Sequence, residues 1–494
     1  MAASSRTLTD LGLHAQGGRE VEVTGLSVDS RAVRPGHLFA ALPGSRVHGA
    51  EFIQYALRME ASAILTDADG ARIAADVIAE HDPALIIAAD PRQALSGAAA
   101  LWFGAQPPVM VAVTGTNGKT SVASFVRQIW IALGEKAVNL GTTGVEGVWT
   151  APLAHTTPEP ITLHRALAEA AANGVTHAAM EASSHGLDQK RLDGVHLTAA
   201  GFTNFTQDHL DYHETFDAYF EAKAGLFTRV LSPEGTAVIN IDDLRGPDMA
   251  ALAEGRGQTI LRVGTGADAH LRLTAQRFDA TGQDIRIAWH DAPHQVRLSL
   301  IGGFQAENVL IAAGLVHACG APMEDVLRAL PELETVRGRM QLAATRENGA
   351  AVFVDYAHTP DAVSTALKAL RPHVMGRLVA VVGAGGDRDA GKRPLMGQAA
   401  AENADVVFVT DDNPRSEDPA LIRAAVLDGA PDAVEVGDRA EAILRAVDAL
   451  QPGDALLIAG KGHETGQIVG DAVLPFDDAE QASVAVAALD GRLA

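Results

Sequence analysis

Short apolar runs that end in polar or glycine-rich loops, each followed by a helical pattern, recur along this chain. They include Val109–Val113, Thr176–Met180, Val352–Val354, Leu378–Val382, Val406–Thr410 and Ala455–Ala459. Continuous apolar runs of this length, alternating with helices, predict parallel strands buried on both faces by helical layers. After Val109–Val113, apolar residues at Val122, Phe125, Val126, Ile129, Trp130 and Leu133 hold a helical spacing that closes at Gly134. Gln106-Pro107-Pro108 breaks the pattern just before that strand and reads as a linker. A second boundary falls at Arg337-Gly338-Arg339, where a helical stretch gives way to a new series of strands. The expected architecture is α/β with three domains, spanning residues 1–107, 108–337 and 338–494. No fixed-period repeat or low-complexity segment interrupts this plan.

Composition narrows the class. With 494 residues, about three domains of ~150 residues each are expected. The chain is 47% hydrophobic and 20% charged, an ordinary globular balance. Lys plus Arg is 39 against 62 for Asp plus Glu, giving a net charge of −23. That balance argues against a nucleic-acid partner, since phosphate neutralisation needs a basic surface. Cys319 is the single cysteine, which excludes an intrachain disulfide or a cysteine-based zinc cluster. No apolar run approaches the ~18 residues of a membrane span, and Met1–Gln16 lacks the pattern of a signal peptide. The expectation is a cytoplasmic monomer without a membrane partner.

The strongest local signal is Thr114-Gly115-Thr116-Asn117-Gly118-Lys119-Thr120-Ser121, set between the strand and the helix described above. A glycine-rich turn at a helix N-terminus presents backbone N–H groups and a positive dipole end to phosphates. Lys119 would reach the β/γ-phosphates and the Thr120 hydroxyl would ligate Mg²⁺. The longer GxxxxGK[ST] pattern fails because Val113 stands where its first glycine belongs, leaving GxxGKT. Glu181 ends the strand beginning at Thr176, and a carboxylate at a strand's carboxyl tip near a phosphate loop suits Mg²⁺. Three later strands end in Gly385-Gly386-Asp387-Arg388-Asp389, Asp412-Asn413-Pro414-Arg415 and Gly460-Lys461-Gly462-His463-Glu464. In a parallel sheet such loops gather at one edge and can share a ligand. Arg388, Arg415 and Glu464 together complement a zwitterion that carries a second carboxylate.

The Gly115–Thr120 segment resembles the short phosphate loop of the Mur ligase family, ATP-dependent amide ligases of cell-wall synthesis. The other landmarks extend this resemblance over nearly the whole chain. It implies a small N-terminal α/β UDP-binding domain, a central P-loop domain with a parallel sheet, and a C-terminal Rossmann-like domain for an amino acid. It further implies that Gly115, Thr116, Asn117, Gly118, Lys119, Thr120 and Ser121 bind ATP, with Asn308 near the adenine and Arg339 and Asp355 reaching ATP from the third domain. Gln305 stands where the family usually has Asn. His209 resembles a ligand of a second Mg²⁺, and Lys223 matches a lysine that the family carbamylates to help hold it; Thr120, Glu181, His209 and Lys223 form the implied metal set.

In the N-terminal region, Ser27-Val28-Asp29-Ser30-Arg31 followed by Gly36-His37-Leu38-Phe39-Ala40 resembles the family's UDP-binding signature, with Val28 and Ser30 as contacts. Thr156, Thr157, Ser183, Gln189 and Arg191 match positions contacting the muramoyl peptide. The implied substrates are UDP-MurNAc-L-Ala-D-Glu and meso-diaminopimelate, the latter held by Arg388, Asp412, Asn413, Pro414, Arg415, Gly460 and Glu464. The intact DNPR sequence argues against lysine, because an arginine aimed at the second carboxylate would be left unpaired. Three alternatives stay open at this point: another ligase of the same family, a folylpolyglutamate synthetase that shares the phosphate loop, and a nucleotide-hydrolysing regulator that ligates nothing.

Overall fold

The computed structural model describes residues 5–44, 47–206, 212–213 and 215–492. Among them, three larger sheets follow one another along the chain. The first is a parallel four-stranded sheet of β1 (Gly25–Ser27), β2 (His37–Ala40), β3 (Ala63–Thr66) and β4 (Ala84–Ile87), in that order. Asp29 precedes β2 and accepts the Arg31 N–H as an N-cap, which turns the chain between β1 and β2. Helix α1 (Pro91–Phe103) follows β4; Asp90 caps it by accepting from the Arg92 and Gln93 N–H groups, and Gly104 ends it in the left-handed region.

The central sheet is built from β5 (Val109–Thr114), β6 (Ala137–Gly141), β7 (Gly144–Gly147), β8 (His177–Glu181), β9 (Ala199–Phe202), β10 (Thr236–Asn240), β11 (Thr259–Gly264), β12 (Leu271–Asp279), β13 (Gly282–Trp289) and β14 (Ala292–Leu298). Its spatial order is β14-β13-β12-β11-β10-β9-β5-β8-β6-β7. From β6 to β11 the neighbours are parallel, and β5 lies between β8 and β9. Helix α2 (Lys119–Ala132) buries Val122, Phe125, Val126, Ile129 and Trp130 on one face of this sheet, beside Val309, Leu310 and Ala313 of α3 (Phe304–Ala318). Full burial of such side chains contributes roughly 1.5–3 kcal/mol each. The other face covers Met110, Ala112, Ala178 and Met180. Burial on both faces explains why these strands read as uninterrupted apolar runs.

The meander β12–β14 is antiparallel and extends the parallel core at one edge, with the β6–β7 hairpin at the other. In β12, Leu271 and Leu273 are buried on either side of the half-buried Arg272, and Thr274 and Ala275 are exposed where the register shifts. Such a strand carries no continuous apolar run, so this element is absent from the sequence reading.

The third sheet has order β15-β16-β20-β17-β18-β19, from β15 (Gln341–Thr345), β16 (Ala351–Asp355), β17 (Leu378–Val382), β18 (Val406–Val409), β19 (Val434–Glu435) and β20 (Ala455–Ala459). It is parallel except at the edge strand β15. Beyond β20 come a hairpin of β21 (Gly466–Val469) and β22 (Ala472–Pro475), then helix α4 (Asp478–Leu489). Because β20, β17 and β18 are neighbours, their carboxyl-end loops emerge side by side. Among the described residues no helix is long and apolar enough to cross a membrane.

Candidate active site

The phosphate loop lies at the carboxyl end of β5, in the middle of the central sheet. Gly118 occupies the left-handed region (φ 85°) as the N-cap of α2, and a Cβ there would meet the Asn308 Oδ1 at 2.5 Å. Gly115 is equally constrained: a Cβ would come within 1.9 Å of the Thr203 hydroxyl. The loop is pinned by the Asn117 N–H donating to Asn204 Oδ1 at 2.9 Å and by the Thr203 hydroxyl donating to the Asn117 carbonyl at 2.6 Å. Lys119 Nζ folds over the loop and donates to the Gly115 and Thr116 carbonyls, both at 2.8 Å. Thr116 and Ser121 are buried in the loop and the first turn of α2, and Asn308 is buried against Gly118. The sequence-derived phosphate and adenine groups are therefore brought together.

Glu181, at the tip of β8, is buried. It accepts the Thr120 hydroxyl at 2.9 Å and the Thr142 N–H at 2.8 Å. A Cβ on Gly141 would sit 2.0 Å from its Oε1, so glycine is what lets the carboxylate occupy this cradle. Lys223, on the helix Phe216–Gly225, is also buried and donates to the Gly115 carbonyl at 2.8 Å. The oxygen-rich pair of Thr120 and Glu181 fits a hard divalent cation. His209 lies outside the described residues, and among those described no cluster of three His, Cys, Asp or Glu forms a complete metal cage.

The peptide-contacting candidates cluster near the backbone of Glu181 and the turn after β6. Thr157 donates to the Glu181 carbonyl at 3.0 Å and accepts the Ser183 N–H at 3.0 Å. Thr156 pairs with Thr142 at 2.9 Å. Arg191 donates to the Thr157 carbonyl at 2.6 Å and to Gln189 Oε1 at 2.8 Å. Val28 and Ser30 stand apart from this group, exposed and half-buried at the carboxyl end of β1.

The third sheet reaches this centre through Arg339, whose Nη2 donates to the Thr120 hydroxyl at 3.3 Å and whose guanidinium lies 4.8 Å from the Tyr356 ring centroid. Asp355, at the end of β16, accepts the Met340 N–H at 2.6 Å; burial pushes its carboxyl up to about 6, against the pull of Arg339. The loops that follow β17, β18 and β20 meet. Asn413 Nδ2 donates to Glu464 Oε2 at 2.9 Å, the Gly386 N–H donates to the Asn413 carbonyl at 2.9 Å, and Arg415 Nη1 donates to the Gly386 carbonyl at 2.7 Å. Asp412 closes on the next loop, where a Gly460 Cβ would meet its Oδ2 at 2.5 Å, and a Gly386 Cβ would meet the Pro414 carbonyl at 1.9 Å. Arg388 is exposed on the first of these loops. Burial pushes the Glu464 carboxyl up, against the Asn413 hydrogen bond and the charges of Lys461 and Arg415.

Sequence reasoning missed Thr142, which carries no motif and reaches Glu181 only through the β6–β7 turn. It also assigned no role to His463, a half-buried imidazole pushed down to about 4 by burial, 4.9 Å in ring-centroid distance from Tyr356. Both residues become visible only once separate strand ends are brought side by side.

A phosphate loop facing a buried carboxylate, joined by an arginine to a second parallel sheet, defines a multidomain α/β protein of the phosphate-loop class. The family comparison agrees along the chain. The "Mur ligase family, catalytic domain" pattern matches residues 22–102, the "Mur ligase middle domain" 113–316 and the "Mur ligase, glutamate ligase domain" 338–462. The chain belongs to the Mur ligase family.

Within that family, the chain is 51% identical to the UDP-N-acetylmuramoyl-L-alanyl-D-glutamate--2,6-diaminopimelate ligase of Bradyrhizobium diazoefficiens, over 94% of this chain and 95% of the relative. It is 48% identical to the protein of the same name from Caulobacter vibrioides, over 95% and 96% of the two chains. A solved structure of a ligase with that name superposes with a TM-score of 0.71 at 33% identity, covering 98% of this chain and 99% of that one. A MurF structure from Acinetobacter baumannii shares the fold at 18% identity, with a TM-score of 0.64 and 93% and 96% coverage.

Proposed function

We propose that this chain is an ADP-forming ligase. It joins an amine of meso-2,6-diaminopimelate to the D-glutamate γ-carboxylate of UDP-MurNAc-L-Ala-D-Glu, consuming ATP. The observation that carries the choice of acceptor is the convergence of Arg415, Asn413 and Glu464 at one sheet edge. The names of relatives near 50% identity support it. In this reading residues 1–107 hold the UDP-sugar through Val28 and Ser30, residues 108–337 hold ATP, and residues 338–494 hold the amino acid. The protein works as a cytoplasmic monomer in peptidoglycan precursor synthesis.

The γ-carboxylate oxygen attacks the γ-phosphorus of ATP, ADP departs, and an acyl phosphate forms. The neutral amine of the acceptor then attacks the acyl carbon. Phosphate leaves with the bonding pair and the nitrogen loses a proton to give the amide. Lys119 moves from its loop carbonyls to the β/γ-phosphates, and its charge, with the N–H groups of Gly115–Thr120, offsets charge developing on the transferred group. Arg339 approaches the same phosphates from the third sheet, beside Thr120. Thr156, Thr157, Ser183, Gln189 and Arg191 hold the peptide so that its carboxylate meets the phosphoryl group beyond Glu181.

Mg²⁺ would be held by Thr120, Glu181, His209 and a carbamylated Lys223, and would supply charge neutralisation of the phosphates. As an ammonium, Lys223 donates to Gly115, so only the carbamate form makes this residue an anionic ligand. At the acceptor loops, Glu464 receives an ammonium, while Arg415 and Arg388 bind carboxylate. Diaminopimelate is lysine with one more carboxylate, so a lysine in this pocket leaves a guanidinium without its anion.

The test is phosphate release by the purified chain with ATP, Mg²⁺ and UDP-MurNAc-dipeptide, comparing meso-diaminopimelate with L-lysine. Release should require diaminopimelate. Release with lysine alone would reject the acceptor, and release indifferent to both would favour a nucleotide-hydrolysing regulator.

A further inference from the structure

Lys461 sits in the acceptor cluster but faces no solvent: its side chain is 0% exposed. Its ammonium donates to Asn413 Oδ1 at 2.8 Å and to the Gly466 carbonyl at 2.9 Å, and lies 3.7 Å from Glu464 Oε2. Asn413 is itself buried, and its Oδ1 also accepts the Ile468 N–H at 2.9 Å. Two donors therefore converge on one face of the carboxamide. Turning the amide over would set its NH₂ against an ammonium and a backbone N–H, three donors with no acceptor, a costly arrangement in a buried site. The carboxamide thus has one allowed polarity, with Nδ2 directed at Glu464. The same lysine ties together three stretches of backbone: the 412–415 loop, the 460–464 loop and the 466–475 hairpin. The hairpin in turn accepts the Arg415 N–H at the Ile468 carbonyl, at 3.0 Å.

We propose that Lys461 is a positioning residue for the acceptor site: by fixing the polarity of the Asn413 carboxamide it aims the Glu464 carboxylate that receives the acceptor's ammonium. The proposal rests on the reading that diaminopimelate binds at Arg415 and Glu464. The charged and titratable groups facing Glu464 are Asp412 and Arg415 from the 412–415 loop, Lys461 from its own loop, the Tyr356 phenol from the end of β16, and Arg439 from the neighbouring helix. Of these, Lys461 is both a cation and the partner of the group that hydrogen-bonds Glu464. Removing it raises the Glu464 carboxyl through lost charge and through a released amide.

The test is steady-state kinetics of Lys461→Met with each substrate varied in turn across pH. Loss of hydrogen bonding to a charged group predicts a rise of about tenfold or more in KM for meso-diaminopimelate. The acid limb of kcat/KM for that substrate should move to higher pH. KM for ATP and for UDP-MurNAc-dipeptide should stay within about twofold, since Lys461 hydrogen-bonds Asn413 and Gly466 rather than any residue proposed to hold those substrates; this also reports that the fold is kept. A folded Lys461→Met enzyme with the acceptor KM and acid limb of the unaltered chain would overturn the proposal. If Lys461→Met does not fold, Asn413→Asp decides: it keeps oxygens toward Lys461 and Ile468 but sets an oxygen against Glu464, and the same two changes are expected. Their absence overturns the proposal. Arg415→Ala separates the two levels. An unchanged acceptor KM in Arg415→Ala rejects the acceptor site and this inference with it, whereas a raised value there, with both other variants unaffected, rejects the inference alone.

Discussion

Arg415 adopts a left-handed backbone (φ 52°), one of two non-glycine residues of the acceptor loops to do so; Asp387 (φ 54°) is the other. Such a conformation costs about 1–3 kcal/mol and persists only where surrounding contacts enforce it. Here the Arg415 N–H donates to Ile468 and its Nη1 to Gly386, which holds the guanidinium over the acceptor loops. Truncating it should weaken diaminopimelate binding by about 2–5 kcal/mol if the charge pair is desolvated. Arg415→Ala should accordingly raise KM for diaminopimelate far more than KM for ATP, and unchanged acceptor kinetics would refute the assignment. Asp355 gives a pH prediction. Its carboxyl is raised to about 6 by burial, so it is ionised above that pH and takes up a proton as pH falls through it. Ionised, it anchors the Met340 N–H next to Arg339; protonated, it no longer balances that guanidinium. The acid limb of kcat/KM for ATP should fall near pH 6, and Asp355→Asn should abolish that limb. A limb that persists unmoved in the variant would show that another group controls it.

At the scale of the element, the turn into α2 is set by what glycine permits. Gly118 combines a positive φ with a near contact to Asn308, so Gly118→Ala meets backbone strain of roughly 1–2 kcal/mol as well as displacement of the Asn308 side chain. The expected outcome is a loss of nucleotide affinity with little change in diaminopimelate affinity, measured by calorimetric titration with a non-hydrolysable ATP analogue. Equal losses at both sites would mean global damage rather than a local one. The third sheet has its own brace. Arg439 and Asp478, each 0% exposed, form a bidentate pair with both contacts at 2.7 Å, and Arg439 also donates to the Ala459 carbonyl at the end of β20. Asp478 begins α4, so the pair fastens that helix to the strand from which the Gly460–Glu464 loop departs. Leaving either charge alone is costly in a buried site, and Asp478→Asn should lower stability by about 3–5 kcal/mol in denaturant unfolding. A change under 1 kcal/mol would mean that water reaches Arg439.

For the whole molecule, the net charge of −23 describes the surface rather than the site. Every proposed substrate carries anionic groups, and in the proposed site the attraction would fall to Lys119, Arg191, Arg339, Arg388 and Arg415, set in an acidic body. Arg339 is the residue through which the second and third sheets meet at the phosphate loop, by way of Thr120. If its charge acts on the transferred phosphoryl group, Arg339→Ala should lower kcat by about 10²–10³-fold, the cost of removing one such donor. KM for UDP-MurNAc-dipeptide should stay unchanged. A kcat within threefold of the unaltered enzyme would show that the bridge is structural only.

Strands buried on both faces, β5, β8, β17 and β20, are written as continuous apolar runs because each side chain along them meets a core; the sequence alone located them to within a residue or so. The phosphate loop was equally legible, since its glycines, lysine and threonine are consecutive and their chemistry depends on local backbone geometry. The meander β12–β14 was not legible, because polar and exposed positions interrupt its buried apolar residues and the apolar signal is diluted. Nor was the cradle around Glu181: Gly141 and Thr142 lie where β6 ends, Thr120 lies in the first turn of α2 and Glu181 ends β8, and only the order of strands in the sheet joins them. Lys461 makes the same point in the third sheet. In the sequence it is a lysine between two glycines; folded, it is a buried donor that determines which way Asn413 faces. Local patterning thus determined which elements form and where phosphate binds, because those depend on neighbours in the chain. Which side chains share a site depends on strand order and on how sheets abut, and that was decided by the tertiary structure.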